Sequence, residues 1–107
     1  VCPWCNIGKR RFEQAVAMRS HYEFQVGWRP FQLNPDIPPS GLPRRDFLNA
    51  KFGGAERADR IYEAISKAGE ETGLDFNFQN IPHQPNTFDS HRLGRWSESS
   101  GGQDAVV

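Results

Sequence analysis

The sequence opens on Val1-Cys2-Pro3-Trp4-Cys5-Asn6-Ile7-Gly8-Lys9-Arg10, and this stretch decides how the rest of the chain is interpreted. Pro3 suits the first position of a helix, because a residue at that position needs no N–H. The apolar side chains that follow, from Ile7 to Val16, keep roughly helical spacing. We therefore predict a helix from Cys5 to about Ser20, with both cysteines of the chain at its N-terminal end.

The position of the two cysteines suggests a chemistry. A sulfur at a helix N-terminus lies near unpaired N–H groups and the positive end of the helix dipole, which favour thiolate over thiol. A thiolate attacks disulfides, and a second thiol three residues on can resolve the mixed disulfide. We expect Cys2 to be the exposed attacking thiol and Cys5 the more buried resolving thiol. Pro3 and Trp4, which lie between them, would modulate the motif by shape and by aromatic contact.

Two other interpretations of the cysteine pair stay open. A structural disulfide between these positions would close only a tiny loop, so it would restrict the unfolded chain little. A zinc site would need two further ligands, but there is no second Cys-x-x-Cys, and His21, His83 and His91 lack ligand-like spacing. We predict no metal site and no metal or organic cofactor.

Length, charge and hydropathy exclude several classes of protein. The chain has 107 residues, a common size for one domain, and its eight Phe and three Trp residues supply large apolar surfaces to bury. Thirteen basic residues balance thirteen acidic ones, so the chain lacks the basic surplus that attracts nucleic acid or anionic membranes. Its longest apolar runs are too short for a transmembrane helix. We expect neither nucleic acid nor a membrane as a partner.

After the first predicted helix, the spacing of the apolar residues changes from helical to alternating. Tyr22, Phe24, Val26 and Trp28 alternate with polar residues and glycine, which predicts a strand with one buried face. A proline-rich connection over residues 30–43 follows this strand. One strand cannot form a sheet, so its partners are expected in sequence beyond either end or in another chain.

Helices are predicted for most of the remaining chain. Apolar spacing and glycine or proline stops delimit a short helix over 43–52, a longer one over 55–72, a fourth over 87–99 and a first helical turn at 103–107. Gly73 is expected to end the second of these in a left-handed conformation. Residues 74–85 are interpreted as a loop with apolar anchors.

The fourth of the predicted helices carries polar residues at its start and large apolar residues along its length. Asn86 or Thr87 is expected to cap its N-terminus. Phe88, Leu93 and Trp96 are expected to face inward. Both ends of the chain interrupt a pattern: there is no initiator methionine, and the last helix has a first turn but no body. We therefore expect the chain to be part of a longer protein.

Three stretches together carry a resemblance to a known family. They are VCPWCNIGKR at 1–10, WRPFQLNP at 28–35 and PNTFDSHRL at 85–93, and Phe52-Gly53-Gly54 fits as well. Their order and spacing resemble the DsbA-like oxidoreductases of the thioredoxin superfamily, in particular the FrnE-like branch, over essentially the whole chain.

The resemblance implies an α/β, thioredoxin-like fold with an all-helical insertion, present here as a mostly helical fragment with one clear strand. Residues 1–35 would be the N-terminal part of the thioredoxin-like domain and residues 36–107 the helical insertion. The family's first strand should precede Val1, and its last strands and cis-proline loop should follow Val107. The implied activity is thiol–disulfide exchange with protein or small-thiol substrates, in which Cys2 is the nucleophile and Cys5 the resolving thiol.

A related branch of the superfamily leaves an alternative open. Asn86-Thr87 resembles a motif of the kappa-class glutathione transferases and hydroxychromene-carboxylate isomerases, in which a serine replaces the attacking cysteine and activates glutathione. The cysteine at Cys2 favours redox chemistry instead. Asn86, Thr87 and His91 are candidates for holding a thiol substrate, although helix capping and a solvent-facing histidine are the commoner roles.

Partners and location follow from the same resemblance. We expect disulfide- or thiol-containing proteins as substrates, and glutathione and a homodimer stay open. A non-catalytic metal-binding or interaction module is the alternative from a different functional class. The family branch and the absence of any cysteine beyond Cys2 and Cys5 predict a bacterial cytoplasmic protein.

Overall fold

The computed structural model describes residues 2–107, which are mostly helical. The elements are α1 (Pro3–Ala17), β1 (Leu42–Pro43), α2 (Arg44–Phe52), α3 (Ala55–Glu70), a short 3₁₀ helix (Phe78–Asn80), β2 (His83–Gln84), α4 (Phe88–Glu98) and α5 (Gln103–Val106). The two short strands pair antiparallel, with Leu42 opposite Gln84 and Pro43 opposite His83. The five predicted helical segments are confirmed, with ends that differ by a few residues.

The chain forms two compact units. The first unit comprises the chain up to Glu23 together with Leu42–Gln84, and the second comprises Phe24–Gly41 together with Pro85–Val107. Each unit is therefore built from two separate stretches of sequence. This division does not test the predicted boundary between residues 1–35 and 36–107, which stays a prediction.

The first unit has a small apolar core between its helices. In this unit α3 contacts both α1 and α2, and each of the three helices contributes to the core. Its buried apolar side chains are Ile7, Phe47, Ala58 and Ile65. Ala58 and Ile65 lie seven residues apart, about two turns, so they share one face of α3. Ile7 is the contribution of α1 and Phe47 that of α2.

An aromatic cluster extends this core to the segment after α3. The Tyr62 ring lies 4.6 Å from the Phe78 ring and 6.0 Å from the Phe52 ring, centroid to centroid. The Phe76 and Phe78 rings stack at 5.1 Å. Such ring pairs add about 0.5–1.5 kcal/mol each to the burial of their area. They anchor the 3₁₀ turn and β2, a stretch that the sequence pattern predicts only as a loop.

Gly73 ends α3 as predicted. Its φ is 76°, a left-handed conformation that costs glycine nothing because it has no Cβ. The Leu74 N–H donates to the Gly69 carbonyl and the Gly73 N–H donates to the Glu70 carbonyl, both at 3.0 Å. These two bonds form a Schellman motif, which satisfies carbonyl groups that the end of the helix leaves unpaired.

In the second unit, the buried Gln103 side chain connects α5 to Trp28 and to α4. The Trp28 N–H donates to its Oε1 at 2.9 Å. Its Nε2 donates to the carbonyl groups of Trp28 and Gly94, at 3.0 and 3.2 Å. The Trp28 indole N–H also donates to the Asp104 carboxylate at 3.2 Å. A primary amide has both donors and an acceptor, so Gln103 pairs with the backbone of Trp28 as a neighbouring strand would.

The predicted strand over residues 22–28 is wrong for this structure. Within residues 2–107 the strand pairing is confined to β1 and β2, and Tyr22, Phe24 and Val26 are 62%, 43% and 51% exposed. An extended segment becomes a strand only when a neighbour supplies the ladder of hydrogen bonds. Here the alternating pattern is present in the sequence, but three of the four side chains it predicts as buried are exposed, and Trp28 is half-buried against Gln103 and Asp104.

The predicted inward face of α4 is also wrong. Phe88, Leu93 and Trp96 are 57%, 50% and 75% exposed. α4 instead buries the side of the helix that carries Ser97, which is 5% exposed, and it contacts α5 there. Small residues let α5 approach closely, and the Gln103 side chain reaches the Gly94 carbonyl on that same side.

Candidate functional site

The cysteine motif begins α1 as the sequence predicts. Pro3 is the first helical residue, and Cys2 precedes it with extended backbone angles, φ −116° and ψ 116°. The Cys2 carbonyl accepts the first hydrogen bonds of the helix, from the N–H of Cys5 at 3.0 Å and of Asn6 at 3.4 Å. The first turn of α1 contains no acidic side chain, so no carboxylate opposes a negative charge on sulfur at this helix end.

The burial of the two cysteines is the reverse of the prediction. Cys2 is half-buried and Cys5 is exposed, and the two sulfurs are free thiols. α1 buries the side that carries Ile7, which is 1% exposed. Cys5 lies two residues before Ile7, which is about 200° around the helix and therefore on the opposite face.

The two thiols interact, and the interaction distinguishes them. Partial desolvation, a side-chain hydrogen bond with Cys2 and the negative charge on Cys2 together raise the pKa of the Cys5 thiol. A hydrogen bond raises the pKa of a thiol when the S–H is its donor. Cys2 therefore favours the protonated form of Cys5 over its thiolate. This is the difference that exchange chemistry needs between a resolving thiol and an attacking one.

The surroundings of the motif are polar and open. Trp4 is 51% exposed, so its indole is available for contact from solvent. One turn further along α1, Lys9 donates to Glu13 at 2.6 Å, and Arg10 pairs with the same carboxylate at 3.5 Å. Arg11 pairs with Glu71 at 3.6 Å, which links α1 to the end of α3. Arg10 and Arg11 are exposed, whereas Lys9 is half-buried.

Asn86 is a structural hub in the second unit. Its Oδ1 accepts from the Phe88 N–H at 2.8 Å and from Gln32 Nε2 at 3.4 Å. Its Nδ2 donates to the Ile37 carbonyl. Asn86 therefore connects the 30–37 loop to the start of this helix. Of the two predicted caps, Thr87 is the N-cap residue but makes no side-chain capping bond, and Asn86, one residue earlier, supplies the side-chain bond to the first helical N–H. A direct role in binding a thiol substrate stays a prediction.

Thr87 and His91 lie on the first turn of α4. Thr87 is buried, and its carbonyl accepts the His91 N–H at 3.0 Å. His91 is half-buried and lines a groove of about 450 Å³ in the second unit, together with Gln32, Arg92 and Trp96. The predicted site residues thus fall into two sets, the cysteine motif in the first unit and Asn86, Thr87 and His91 in the second.

The described residues contain neither a cluster of metal-ligating side chains nor a helix that could span a membrane. Across residues 2–107, there is no cluster of three or more His, Cys, Asp or Glu side chains that could hold a metal ion. In the same part of the chain, no helix combines the length and the apolar character needed to cross a bilayer. Any metal site that uses Cys2 and Cys5 would need ligands from elsewhere.

Sequence reasoning missed two glutamines that organise the second unit. Gln103 pairs with the backbone of Trp28, and Gln32 donates to Asn86 at 3.4 Å. Both bonds join residues that are far apart in the chain. Spacing patterns along the sequence report local periodicity, so no pattern used above could have identified them.

Comparisons with known proteins place this geometry among relatives. The uncharacterized protein YwbO of Bacillus subtilis (strain 168) is 30% identical over 87 residues, which are 81% of this chain and 38% of that protein. The crystal structure of a probable DsbA oxidoreductase from Streptomyces coelicolor superposes with a TM-score of 0.81 at 33% identity. That alignment covers 97% of this chain and 45% of the Streptomyces chain. The chain thus spans less than half the length of each of these two relatives.

The family comparison covers more of the sequence than either relative does on its own. The description of the matching family is "DSBA-like thioredoxin domain", and the match runs over residues 1–107. It includes the Cys2–Cys5 motif at the start of α1 and both compact units. The mostly helical structure with its small sheet corresponds to part of the DsbA-like fold of the Streptomyces protein. The chain therefore belongs to the family of DSBA-like thioredoxin domains.

Proposed function

We propose that this chain supplies the redox-active dithiol of a thiol–disulfide oxidoreductase of the FrnE-like branch. Cys2 is the attacking thiolate and Cys5 the resolving thiol. The observation that carries the proposal is the asymmetry of the pair. Cys2 lies immediately before the α1 N-terminus, and the hydrogen bond and charge that it presents to Cys5 help to raise the Cys5 pKa. Family membership supports the same chemistry.

The exchange proceeds in two steps that conserve electrons and protons. The Cys2 thiolate attacks one sulfur of a substrate disulfide, the substrate S–S bond breaks, and the other substrate sulfur leaves as a thiolate. The Cys5 thiol then gives its proton to the first departed substrate thiolate and attacks the Cys2 sulfur. The Cys2–substrate disulfide breaks, the Cys2–Cys5 disulfide forms, and the second substrate sulfur leaves as a thiolate that takes a proton from water. The substrate gains two electrons and the Cys2–Cys5 pair loses two. The reverse sequence oxidises a substrate dithiol.

The proposed partners follow from this chemistry. Substrates are proteins or small molecules with accessible disulfides or thiols, and glutathione is a candidate small thiol. The exchange needs no metal or organic cofactor, since both electrons remain on sulfur. The named relatives are bacterial and the chain has only two cysteines, which supports a bacterial cytoplasmic location. We further propose that residues 1–35 belong to the thioredoxin-like domain and 36–107 to its helical insertion.

Turnover of a model substrate tests the proposal. The chain is supplied with reduced glutathione and a fluorescent peptide disulfide, and the rate of peptide reduction is followed. The wild-type chain is expected to accelerate reduction and Cys2→Ser to abolish the acceleration. A matched control carries Cys2→Ser, Cys5→Ser and Ser20→Cys, which places an ordinary thiol at an exposed position. If this control is as active as the wild-type chain, the helix-terminal motif has no special function.

A further inference from the structure

One face of α4 combines two arginines, a histidine and two aromatic side chains. Phe88, His91, Arg92, Arg95 and Trp96 lie at helical spacings of three and four, so they share this face. They line the groove of about 450 Å³, and Gln32 contributes to its other wall. All of these residues belong to the second unit. The groove therefore lies within one compact unit.

The walls of the groove are held together by Asn86. Its Oδ1 accepts from the Phe88 N–H on the α4 side and from Gln32 Nε2 on the loop side. Its Nδ2 donates a hydrogen bond to the carbonyl of Ile37, further along the same loop. A site whose walls are fixed before a ligand arrives loses less conformational entropy on binding.

The lining of the groove is cationic and its arginines are only weakly engaged. Arg92 pairs with Asp89 at 3.0 Å, and these side chains are 72% and 86% exposed. Arg95 pairs with Glu98, which also accepts from Arg29 at 2.8 Å and so would keep a partner without Arg95. Exposed pairs of this kind are worth about 0–1 kcal/mol. A ligand carboxylate can therefore replace them at small cost.

The same groove presents aromatic surface to solvent. Trp96 is 75% exposed and Phe88 is 57% exposed. The Arg92 guanidinium lies 6.0 Å from the centre of the Phe88 ring, so charge and aromatic surface adjoin. Aromatic residues and arginine are enriched in protein–protein interfaces and among the residues that contribute most to binding there. No carboxylate is among the groove's lining residues in the described chain.

We propose that this groove binds an acidic peptide segment in which carboxylates flank an aromatic or large aliphatic side chain. Arg92 and Arg95 take the carboxylates in charge-assisted hydrogen bonds, and Phe88 and Trp96 take the apolar side chain. Charge complementarity favours an acidic occupant over a second copy of this neutral chain. The site goes beyond the proposed redox function, because it uses neither cysteine.

Fluorescence anisotropy with a short labelled peptide of alternating glutamate and phenylalanine tests the site at low ionic strength. The wild-type chain and a chain with Cys2→Ser and Cys5→Ser are expected to bind this peptide equally. Replacing Arg92→Gln together with Arg95→Gln is expected to weaken binding by about tenfold or more. Trp96→Ala should weaken it as well. The matched control is Arg57→Gln together with Arg60→Gln, which removes two exposed arginines from α3.

The proposal is overturned by any of four results. The first is equal binding of a peptide in which glutamine replaces glutamate, and the second is equal weakening of binding by the α3 control. The third is complete displacement of the peptide by inorganic phosphate. The fourth is self-association of the chain, seen in sedimentation velocity, that covers the groove. Circular dichroism of each variant checks that the helices persist. If a variant unfolds, the site is tested by NMR on the wild-type chain. Titration with the peptide should then change the chemical shifts of Arg92, Arg95 and Trp96. Absence of these shifts also overturns the proposal.

Discussion

At the level of single residues, the difference between the two cysteines is the central feature of the chain. They lie three residues apart at the start of α1, yet their environments are unequal. Cys2 ends the extended segment before α1, whereas Cys5 lies inside the first turn on the face opposite Ile7. Partial desolvation, the hydrogen bond with Cys2 and the Cys2 charge raise the Cys5 pKa in that order of size. Exposure of a sulfur therefore does not by itself identify the attacking thiol.

The Cys2→Ala variant tests the coupling between the thiols. It removes the hydrogen bond and the charge that raise the Cys5 pKa, and it leaves the desolvation in place. The Cys5 pKa should fall toward its ordinary value, so Cys5 should form thiolate at lower pH than in the wild-type chain. The pH dependence of Cys5 alkylation by iodoacetamide, followed by mass spectrometry, measures the change. An unchanged or higher alkylation midpoint would show that Cys2 does not act on Cys5.

Gly69 is a second residue whose identity the structure explains. A Cβ at this position would lie 2.6 Å from the Phe76 ring and 3.3 Å from the Leu74 carbonyl oxygen. Gly69→Ala should lower the free energy of unfolding by about 1 kcal/mol, because the overpacking cost exceeds the gain in helix propensity. Gly8→Ala in α1 is the matched control, since a Cβ there meets nothing within 4 Å. Chemical denaturation should show stabilisation by Gly8→Ala, and stabilisation by both substitutions would contradict the close approach.

At the level of the helices, α4 shows how a capping residue can also organise a surface. The N–H of its first residue, Phe88, donates to Asn86, which also bonds to Gln32 and Ile37. The face of α4 that faces the groove is consequently fixed relative to the 30–37 loop. The sequence pattern, which counts only apolar spacing, predicts that Phe88 and Trp96 are buried on this helix. The structure buries the side that carries Ser97 instead.

Asn86→Ala measures the strength of this connection. It removes the cap of α4 and the bonds to Gln32 and Ile37, so the free energy of unfolding should fall by about 1–2 kcal/mol. Asn49→Ala is the matched control, because Asn49 lies exposed within α2 and alanine is a better helix former. Urea denaturation monitored by circular dichroism compares the two variants. Equal stability of both would mean that Asn86 does not connect the loop to α4.

At the level of the whole molecule, local signals predicted the structure better than distant ones. The helix start at Pro3 and the left-handed end at Gly73 depend on residues within one turn, and both are confirmed. The strand over 22–28 requires a partner from a distant part of a chain, and within residues 2–107 no partner pairs with it. Gln103, which pairs with the backbone of Trp28, joins positions that no periodicity connects.

The candidate site was predictable to a similar extent. The sequence alone predicts the position of Cys2 and Cys5 at a helix start, and the structure confirms it. Their relative burial depends on which face of α1 packs against α3, so it could not be read from spacing. The chain spans less than half the length of the two named relatives, and several of its large apolar side chains are exposed in this structure.

The assignment of Cys2 as attacking and Cys5 as resolving thiol is tested most directly by mixing the reduced chain with a small aromatic disulfide at neutral pH. The disulfides that form are then identified. The account predicts that the wild-type chain ends with an internal Cys2–Cys5 disulfide and no lasting adduct. The Cys5→Ser variant should instead retain one adduct on Cys2, because its resolving thiol is absent. Peptide mapping by mass spectrometry distinguishes these products. Separate, lasting adducts on both Cys2 and Cys5 of the wild-type chain would contradict the assignment of an attacking and a resolving thiol.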